Sequence, residues 1–358
     1  MARKALALVS GGLDSTLAIA LIREQGIEVE GLNFSTGFCF TDHHRAMNSP
    51  DHKLRNEALR AGADLRVPVT VVDISEKYFD DVLLRPKHGY GANMNPCLDC
   101  RSYMLARARE YMERVGADFV FTGEVLGQRP KSQFRQALGL VAKESGLGDR
   151  LLRPLSAKLL PPTLPEREGW VDREKLLSIS GRGRKQQIAE ANRRGFDLND
   201  IPQPAGGCCF LTDEAYARKL RDHLDHQETP KHDPEAFVLL KVGRHLRLND
   251  DVKLIVGRDE PENAFLAGFR RGRWEFWARD FNGSTVLVES ARDLHWEEIE
   301  QIGAITARYG HGRDEDKVVV NYRTPPEGEE TFAMVDDRPI ESVDASPVDL
   351  EAVEPLRV

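Results

Sequence analysis

No stretch of this 358-residue chain is both long and apolar enough to cross a bilayer. The opening Met-Ala-Arg-Lys carries positive charge, but the apolar run behind it is too short for the core of a secretory signal. The expectation is a cytoplasmic chain with no membrane partner. Basic residues are not in surplus either, since 50 Lys and Arg stand against 58 Asp and Glu, a net charge of −8. Bulk charge therefore announces no nucleic acid, and any RNA contact has to come from local patches. Cysteine is scarce: five residues, an odd number, two of them adjacent. That does not make a disulfide framework, and in a reducing compartment it points to metal or sulfur chemistry. Two common phosphate signatures are also missing. No Gly-Lys-Ser/Thr follows the first glycines, and no Gly-x-Gly-x-x-Gly follows the first strand signal.

What stands there instead is Ser10-Gly11-Gly12-Leu13-Asp14-Ser15-Thr16, directly after the apolar run 5–9. The pattern reads as a strand, a tight glycine turn and a helix start, with Asp14, Ser15 and Thr16 as residue types that cap helix N-termini. The unpaired N–H groups of such a turn converge on one spot, where the helix dipole adds positive potential, and an oxyanion of pyrophosphate suits it. Paired glycines let the backbone approach phosphate closely. Asp14 is placed to hold Mg²⁺.

With 41% hydrophobic and 30% charged residues the chain is globular, and its length suits two domains. Strand signals at 29–34, 65–74 and 119–122 alternate with helical ones at 53–63, 78–84 and 98–115, with a further short strand at 152–155. That order predicts an α/β fold, a doubly wound parallel sheet with ligands at the carboxyl ends of its strands. Residues 159–170 are Pro-rich and read as a loop; helical patterns return at 173–179, 184–194 and 213–224, with a Pro/Gly break at 199–207. The polar stretch 226–234 marks a domain boundary. Beyond it, strands at 237–242, 252–256, 264–269, 274–277, 285–288 and 318–322, with one helix at 296–308, predict a second, smaller α+β module. The expected division is 1–227, 228–324 and an acidic, disordered tail at 325–358.

Asn95-Pro96-Cys97-Leu98-Asp99-Cys100 sets two thiols three residues apart at a helix entry, where the dipole favours thiolates. Gly206-Gly207-Cys208-Cys209-Phe210 supplies the distal thiols. Four ligands would close a zinc site; three would leave one iron of a [4Fe-4S] cluster without a protein ligand. Adjacent Cys208 and Cys209 would point apart, which favours three ligands and the cluster over Zn²⁺. Cys39, in Phe38-Cys39-Phe40, reads as a packed residue.

Ser-Gly-Gly-x-Asp-Ser resembles the PP-loop of the ATP-pyrophosphatase superfamily, and the motifs together resemble its tRNA thiolation enzymes, the 4-thiouridine synthases and 2-thiouridylases. The resemblance covers residues 1–226. Thr122-Gly123-Glu124-Val125-Leu126-Gly127-Gln128 and Leu152-Arg153-Pro154-Leu155 are similar to segments of the 4-thiouridine synthases. The cysteine pattern is similar to that of cluster-dependent thiolases, whose distal cysteine precedes Phe and lies seven residues before an aromatic. Cys209 meets both conditions with Phe210 and Tyr216, while counting from the glycine pair selects Cys208.

The resemblance implies a HUP-like fold, with Ser10, Gly11, Gly12, Ser15, Thr16, Phe34, Gly123 and Gln128 around ATP and Asp14 on Mg²⁺. Cys97, Cys100 and Cys209 or Cys208 would hold the sulfur-bearing cluster. Uridine of tRNA would be adenylated at a carbonyl oxygen and then receive sulfur, with sulfide or a persulfide carrier as donor. The rival classes are a zinc-bearing amide-forming synthetase for a small molecule, which would be colourless and indifferent to tRNA, and a non-enzymatic RNA-binding protein. The 4-thiouridine synthases usually carry an N-terminal RNA-binding module, whereas the loop here starts at Ser10 of this sequence. Lys241-Val242-Gly243-Arg244-His245 and Val256-Gly257-Arg258-Asp259 resemble the RNA-binding module of the NFACT family. Near them Arg244, Arg247, Arg258, Arg270, Arg271 and Arg273 interleave with Trp274, Phe276 and Trp277. Such a mixture is either an RNA-contacting surface or a solvated strand face over core aromatics.

Overall fold

Ala5, Leu6 and Ala7 of strand β1 (Lys4–Leu8) are buried, the pattern of a strand covered on both faces. Ala5, Ala7 and Val9 enter one core with Leu17, Ala18 and Leu21 of helix α1 (Leu13–Arg23), whereas Leu6 enters another. The computed structural model describes residues 3–39, 56–199, 201, 209–325 and 338–358. Its two compact units are Met1–Asp213 and Glu214–Val358.

In the first unit β1 and α1 are followed by β2 (Glu28–Ser35), α2 (Glu57–Leu65), β3 (Val69–Asp73), α3 (Cys97–Val115), β4 (Phe119–Thr122), α4 (Arg135–Glu144), β5 (Leu151–Leu152) and α5 (Lys185–Arg193). All pairings are parallel, in the order β3-β2-β1-β4-β5. Leu105, Ala108 and Met112 of α3 cover the face that Leu6 enters, so helices lie on both sides of the sheet. The strand order reverses at β1, between β2 and β4, and loops leaving the carboxyl ends of strands at such a switch point open a crevice. The glycine turn after β1 and the segment after β4 leave the sheet there.

Local differences have local causes. Residue 65 closes α2 and Pro68 follows, so β3 starts only at Val69. The helical signal at 78–84 is one turn, Ser75–Tyr78, that widens into a π-turn, Phe79–Leu83. The signal at 173–179 contracts to Arg173–Lys175, and the loop 159–170 contains a turn of helix, Leu164–Arg167, boxed by Thr163 and Glu166. Residues 53–55, 200 and 202–207 of the expected elements lie outside the described residues.

The second unit contains α6 (Glu214–Asp225), α7 (Pro234–Leu239), β6 (Arg244–Arg247), β7 (Val252–Val256), α8 (Glu260–Leu266), β8 (Trp274–Ala278), β9 (Val286–Ser290), α9 (Trp296–Arg308), β10 (Val318–Arg323) and β11 (Glu341–Ala345). Its antiparallel sheet runs β11-β10-β8-β9-β7-β6 and shares a core with Ile302 and Ile305 of α9. Two expected strands, 237–242 and 264–269, are helical instead. Asp233 accepts from Ala236 N and Asp259 from Glu262 N, each with a proline in the first turn, and these caps outweigh the apolar, aromatic composition.

The boundary and the tail are also corrected. Helix α6 belongs to the second unit, because its Asp222 binds Arg247 and Lys253 there at 2.7 and 2.9 Å. Residues 338–358, expected to be disordered, supply β11 and the turn Leu350–Val353, because Val343 and Ala345 alternate into the core. Residues 326–337 lie outside the described part. No described helix is long and apolar enough to cross a membrane.

Candidate active site

Gly12 is the N-cap of α1 and no side chain caps the helix, so its first turn presents bare N–H groups. The capping-type hydroxyls turn inward instead. Ser15 Oγ and Thr16 Oγ1 donate to the Gly12 carbonyl at 2.9 and 3.0 Å, and Ser10 Oγ stands 3.3 Å from Ser15 Oγ. Two glycines are fixed by their surroundings. Gly11 has φ +75°, and a Cβ there would meet Glu57 backbone at 2.3 Å; one on Gly123 would meet the Asp14–Ser15 peptide at 2.5 Å. The segment after β4 is thus pressed against the turn after β1. Phe34 is partly buried, packed with Leu98 against the core on the α3 face.

Behind Gly11 lies a buried ion pair that no sequence motif marks. Arg60 Nε donates to Glu57 at 2.9 Å and its second arm to the Gly11 carbonyl at 3.1 Å. In front, Gln128 Nε2 donates to Asp14 Oδ2 at 3.0 Å, and Arg184 stands 3.5 Å from the same oxygen. Asp14 Oδ1 is buried and has no hydrogen-bond partner. An orphaned carboxylate oxygen beside an anion cradle fits a divalent cation such as Mg²⁺.

Glu124 accepts from Arg153 Nε at 2.9 Å, with both side chains nearly inaccessible, and Arg101 of α3 stands 3.9 Å from its other oxygen. Burial pushes the Glu124 carboxyl up, but Arg153 and Arg101 outweigh it and hold the group below its ordinary range. This pair joins the segment after β4 to the one after β5. Arg101 is one helical turn beyond Cys97, so the thiol-bearing end of α3 reaches the neighbourhood of the phosphate turn.

Cys97 and Cys100 occupy the first turn of α3, where Cys100 N donates to Pro96 O at 2.8 Å. Residues 209–212 dock beside them: Met94 N donates to Leu211 O at 3.1 Å and Asn93 Nδ2 to Thr212 O at 2.9 Å. The Tyr78 hydroxyl is buried among these thiols. Burial first, then Cys100, Cys209 and Cys97, raise it well above the ordinary tyrosine value, with Cys100 in hydrogen-bonding reach. Among the described residues, no group of three or more His, Cys, Asp or Glu side chains stands close enough to share a metal ion. The described thiols therefore do not by themselves assemble a site for a [4Fe-4S] cluster or Zn²⁺. Cys208 lies outside the described residues. Cys39, expected only to pack, pairs with Cys209 in an antiparallel bridge.

In the second unit the basic and aromatic residues are mostly structural. Trp274 and Phe276 are buried, Arg247 binds Asp222, Arg270 binds Glu275, and Arg273 binds Glu235 and Glu289. Arg244 lies over the Tyr309 ring. Arg258 donates to the Gly243 carbonyl at 2.8 Å, and Glu262 accepts from both backbones, which ties the two module motifs together. Trp277 is half-buried under the Arg323 guanidinium and lines, with Arg270 and Arg279, a cavity of about 680 Å³.

Residues 3–139 match the family model of the tRNA methyl transferase HUP domain, and residues 243–345 that of the NFACT protein RNA binding domain. Among curated relatives, the tRNA-specific 2-thiouridylase MnmA of Nocardioides sp. is 26% identical over 273 residues, 75% of this chain and 68% of the relative. The MnmA of Listeria monocytogenes serovar 1/2a is 22% identical over 344 residues, 91% of this chain and 86% of the relative. Of solved structures, a 4-thiouridine synthetase–RNA complex with bound ATP aligns with 67% of this chain and 50% of its own, at 18% identity and a TM-score of 0.39.

Proposed function

We propose that this chain is a PP-loop tRNA thiolation enzyme that uses ATP to activate a uridine carbonyl oxygen of tRNA and replaces that oxygen with sulfur. The observation that carries it is a shared location: an uncapped helix start with an orphaned Asp14 oxygen, and an α3 whose Arg101 reaches Glu124 while its first turn bears Cys97 and Cys100. Carbonyl oxygen is a poor leaving group until it is joined to phosphate. In the proposed reaction it attacks the α-phosphate of ATP, pyrophosphate departs, and sulfur then displaces AMP.

The bare amides after Gly12 and the Ser10 hydroxyl would receive the phosphates. Asp14 would hold Mg²⁺, which supplies charge neutralisation for the departing pyrophosphate. Gln128 and Arg184 keep the Asp14 carboxylate oriented, and Gly123 keeps the second loop against the first. Cys97, Cys100 and Cys209 are the residues assigned to sulfur handling. The reacting base has to be unstacked to enter such a crevice. The second unit is proposed to grip RNA, with Trp277 and Arg279 at their cavity as the stacking and phosphate contacts.

The test is the full chain, prepared without air, incubated with ATP, tRNA and sulfide or a persulfide donor. The expected result is AMP and pyrophosphate release stimulated by tRNA, with thiouridine found by mass analysis of the nucleosides. Nucleotide cleavage indifferent to tRNA would instead indicate a small-molecule synthetase, and tight RNA binding without cleavage a binding protein. Iron and acid-labile sulfide measured on the same preparation separate cluster-held from thiol-held sulfur.

A further inference from the structure

We propose that Cys39 and Cys209 form a redox-active dithiol, which makes Cys39 a fourth thiol of the sulfur-handling site. Cys39 pairs with Cys209 in an isolated antiparallel bridge, and the Phe210 N–H donates to the Phe38 carbonyl at 2.9 Å. That hydrogen bond flanks the cysteine pair rather than joining it. The pair is therefore of the non-hydrogen-bonded type, with Cα atoms about 4.5 Å apart and side chains leaving on the same face. Disulfides close over Cα separations of about 4.4–6.8 Å, so the backbone already holds these two residues where a bond between them needs no rearrangement.

A second observation places the pair at the site. The Phe38 ring lies 6.2 Å from that of Tyr78, which is 1% exposed. The Tyr78 hydroxyl has Cys100, Cys209 and Cys97 as electrostatic neighbours. Cys39 is joined to these thiols through Cys209, its partner across the bridge and itself one of them.

The chemistry is thiol–disulfide exchange with a small disulfide such as oxidised glutathione. The Cys39 thiolate attacks one glutathione sulfur and expels a glutathione thiolate. The Cys209 thiolate then displaces the second glutathione, leaving the Cys39–Cys209 disulfide. The protein gives up two electrons and two protons, which leave on two glutathione thiols. With its sulfur bonded to Cys39, Cys209 can neither take nor pass on sulfur until a thiol reductant reopens the pair. This consequence rests on the proposed thiolation, whereas the dithiol itself does not.

The whole protein is treated with oxidised glutathione, its remaining thiols are alkylated, and the digest is examined by mass spectrometry. The expected result is a linked peptide pair joining Cys39 to Cys209, reversed by dithiothreitol, with thiolation lost on oxidation and restored on reduction. In Cys39→Ser, with Cys39→Ala as a second variant, the linked pair is absent and the ratio of oxidised to reduced activity stays near one. A link from Cys209 to Cys97 or Cys100, a link from Cys39 to Cys208, or a Cys39 that alkylates equally before and after oxidation overturns the proposal. If the reduced chain thiolates no tRNA, the parent function fails, yet the peptide map of the natural chain still decides on the dithiol.

Discussion

The Arg60 guanidinium donates to the Gly11 carbonyl oxygen at 3.1 Å, from behind the turn that leaves β1. A trans peptide is planar with its C=O and N–H pointing opposite ways. Holding the Gly11 carbonyl toward Arg60 therefore turns the Gly12 N–H toward the crevice, and Arg60 is a positioning residue for the phosphate cradle. Arg60→Met is expected to lower kcat/KM for ATP in a pyrophosphate-release assay by about 10- to 100-fold, the worth of a hydrogen bond from a charged group. The loss should lie mainly in KM, with Arg60→Lys intermediate because it keeps the charge without the two-armed geometry. A wild-type KM in Arg60→Met would show that the turn holds its shape unaided.

Gly123 marks the place where the two loops touch. A Cβ there would sit 2.5 Å from the carbonyl carbon of Asp14 and the nitrogen of Ser15, both backbone atoms that cannot swing aside. Gly123→Ala should destabilise the first unit by about 1–3 kcal/mol, as overpacking does. It should also abolish the thermal stabilisation that ATP gives the natural chain. Gln128→Glu sets a second carboxylate against Asp14 in place of the 3.0 Å hydrogen bond and should lose the same ATP response without a comparable fall in stability.

The buried Glu124–Arg153 pair predicts a different signature. Glu124→Gln leaves a guanidinium that is 6% exposed without its counter-charge, and the expected loss is about 3–5 kcal/mol in urea unfolding. Replacing both partners, Glu124→Leu with Arg153→Met, should recover much of that loss, because the charge left behind, on Arg101, is 27% exposed rather than buried. A double variant as unstable as the single one would mean that the pair fixes the loop rather than balancing a charge.

How far the sequence reveals such a site depends on how local each part is. The turn from Ser10 to Thr16 is legible because a phosphate cradle is made by a few consecutive backbone groups and their glycines. Cys97 and Cys100 are legible for the same reason, being one turn of one helix. Arg60 behind Gly11, Arg153 beside Glu124 and Cys39 opposite Cys209 are contacts across 49, 29 and 170 residues of chain, and only sheet order and register create them. The second module misleads in another way. Strand-like composition at 237–242 and 264–269 competes with Asp-Pro and Asp-Glu-Pro helix starts, and the local caps win. Its arginines look like an RNA surface in sequence, yet Arg247, Arg270 and Arg273 each have a carboxylate partner.

His245 gives the second unit a pH dependence of predictable sign. The ring is buried, its Nε2–H faces the carbonyls of Leu239 and Val242 at 3.2 and 3.0 Å, and Nδ1 has no partner. Burial, and then the nearby Lys219 and Lys253 charges, push its pKa well below the ordinary 6.5. The unfolded chain therefore binds a proton that the folded one refuses. Stability from the neutral ring is complete above about pH 6.5 and is lost as pH falls toward the depressed folded value, by up to about 1.4 kcal/mol per pH unit. Urea unfolding of the full chain between pH 7.5 and pH 5 should show this slope in the transition reported by Trp274, and His245→Gln should remove it while leaving that of the first unit unchanged. A slope that persists in His245→Gln would assign the acid sensitivity to other groups, with half-buried His223 the first to examine, since burial and Lys253 lower it too.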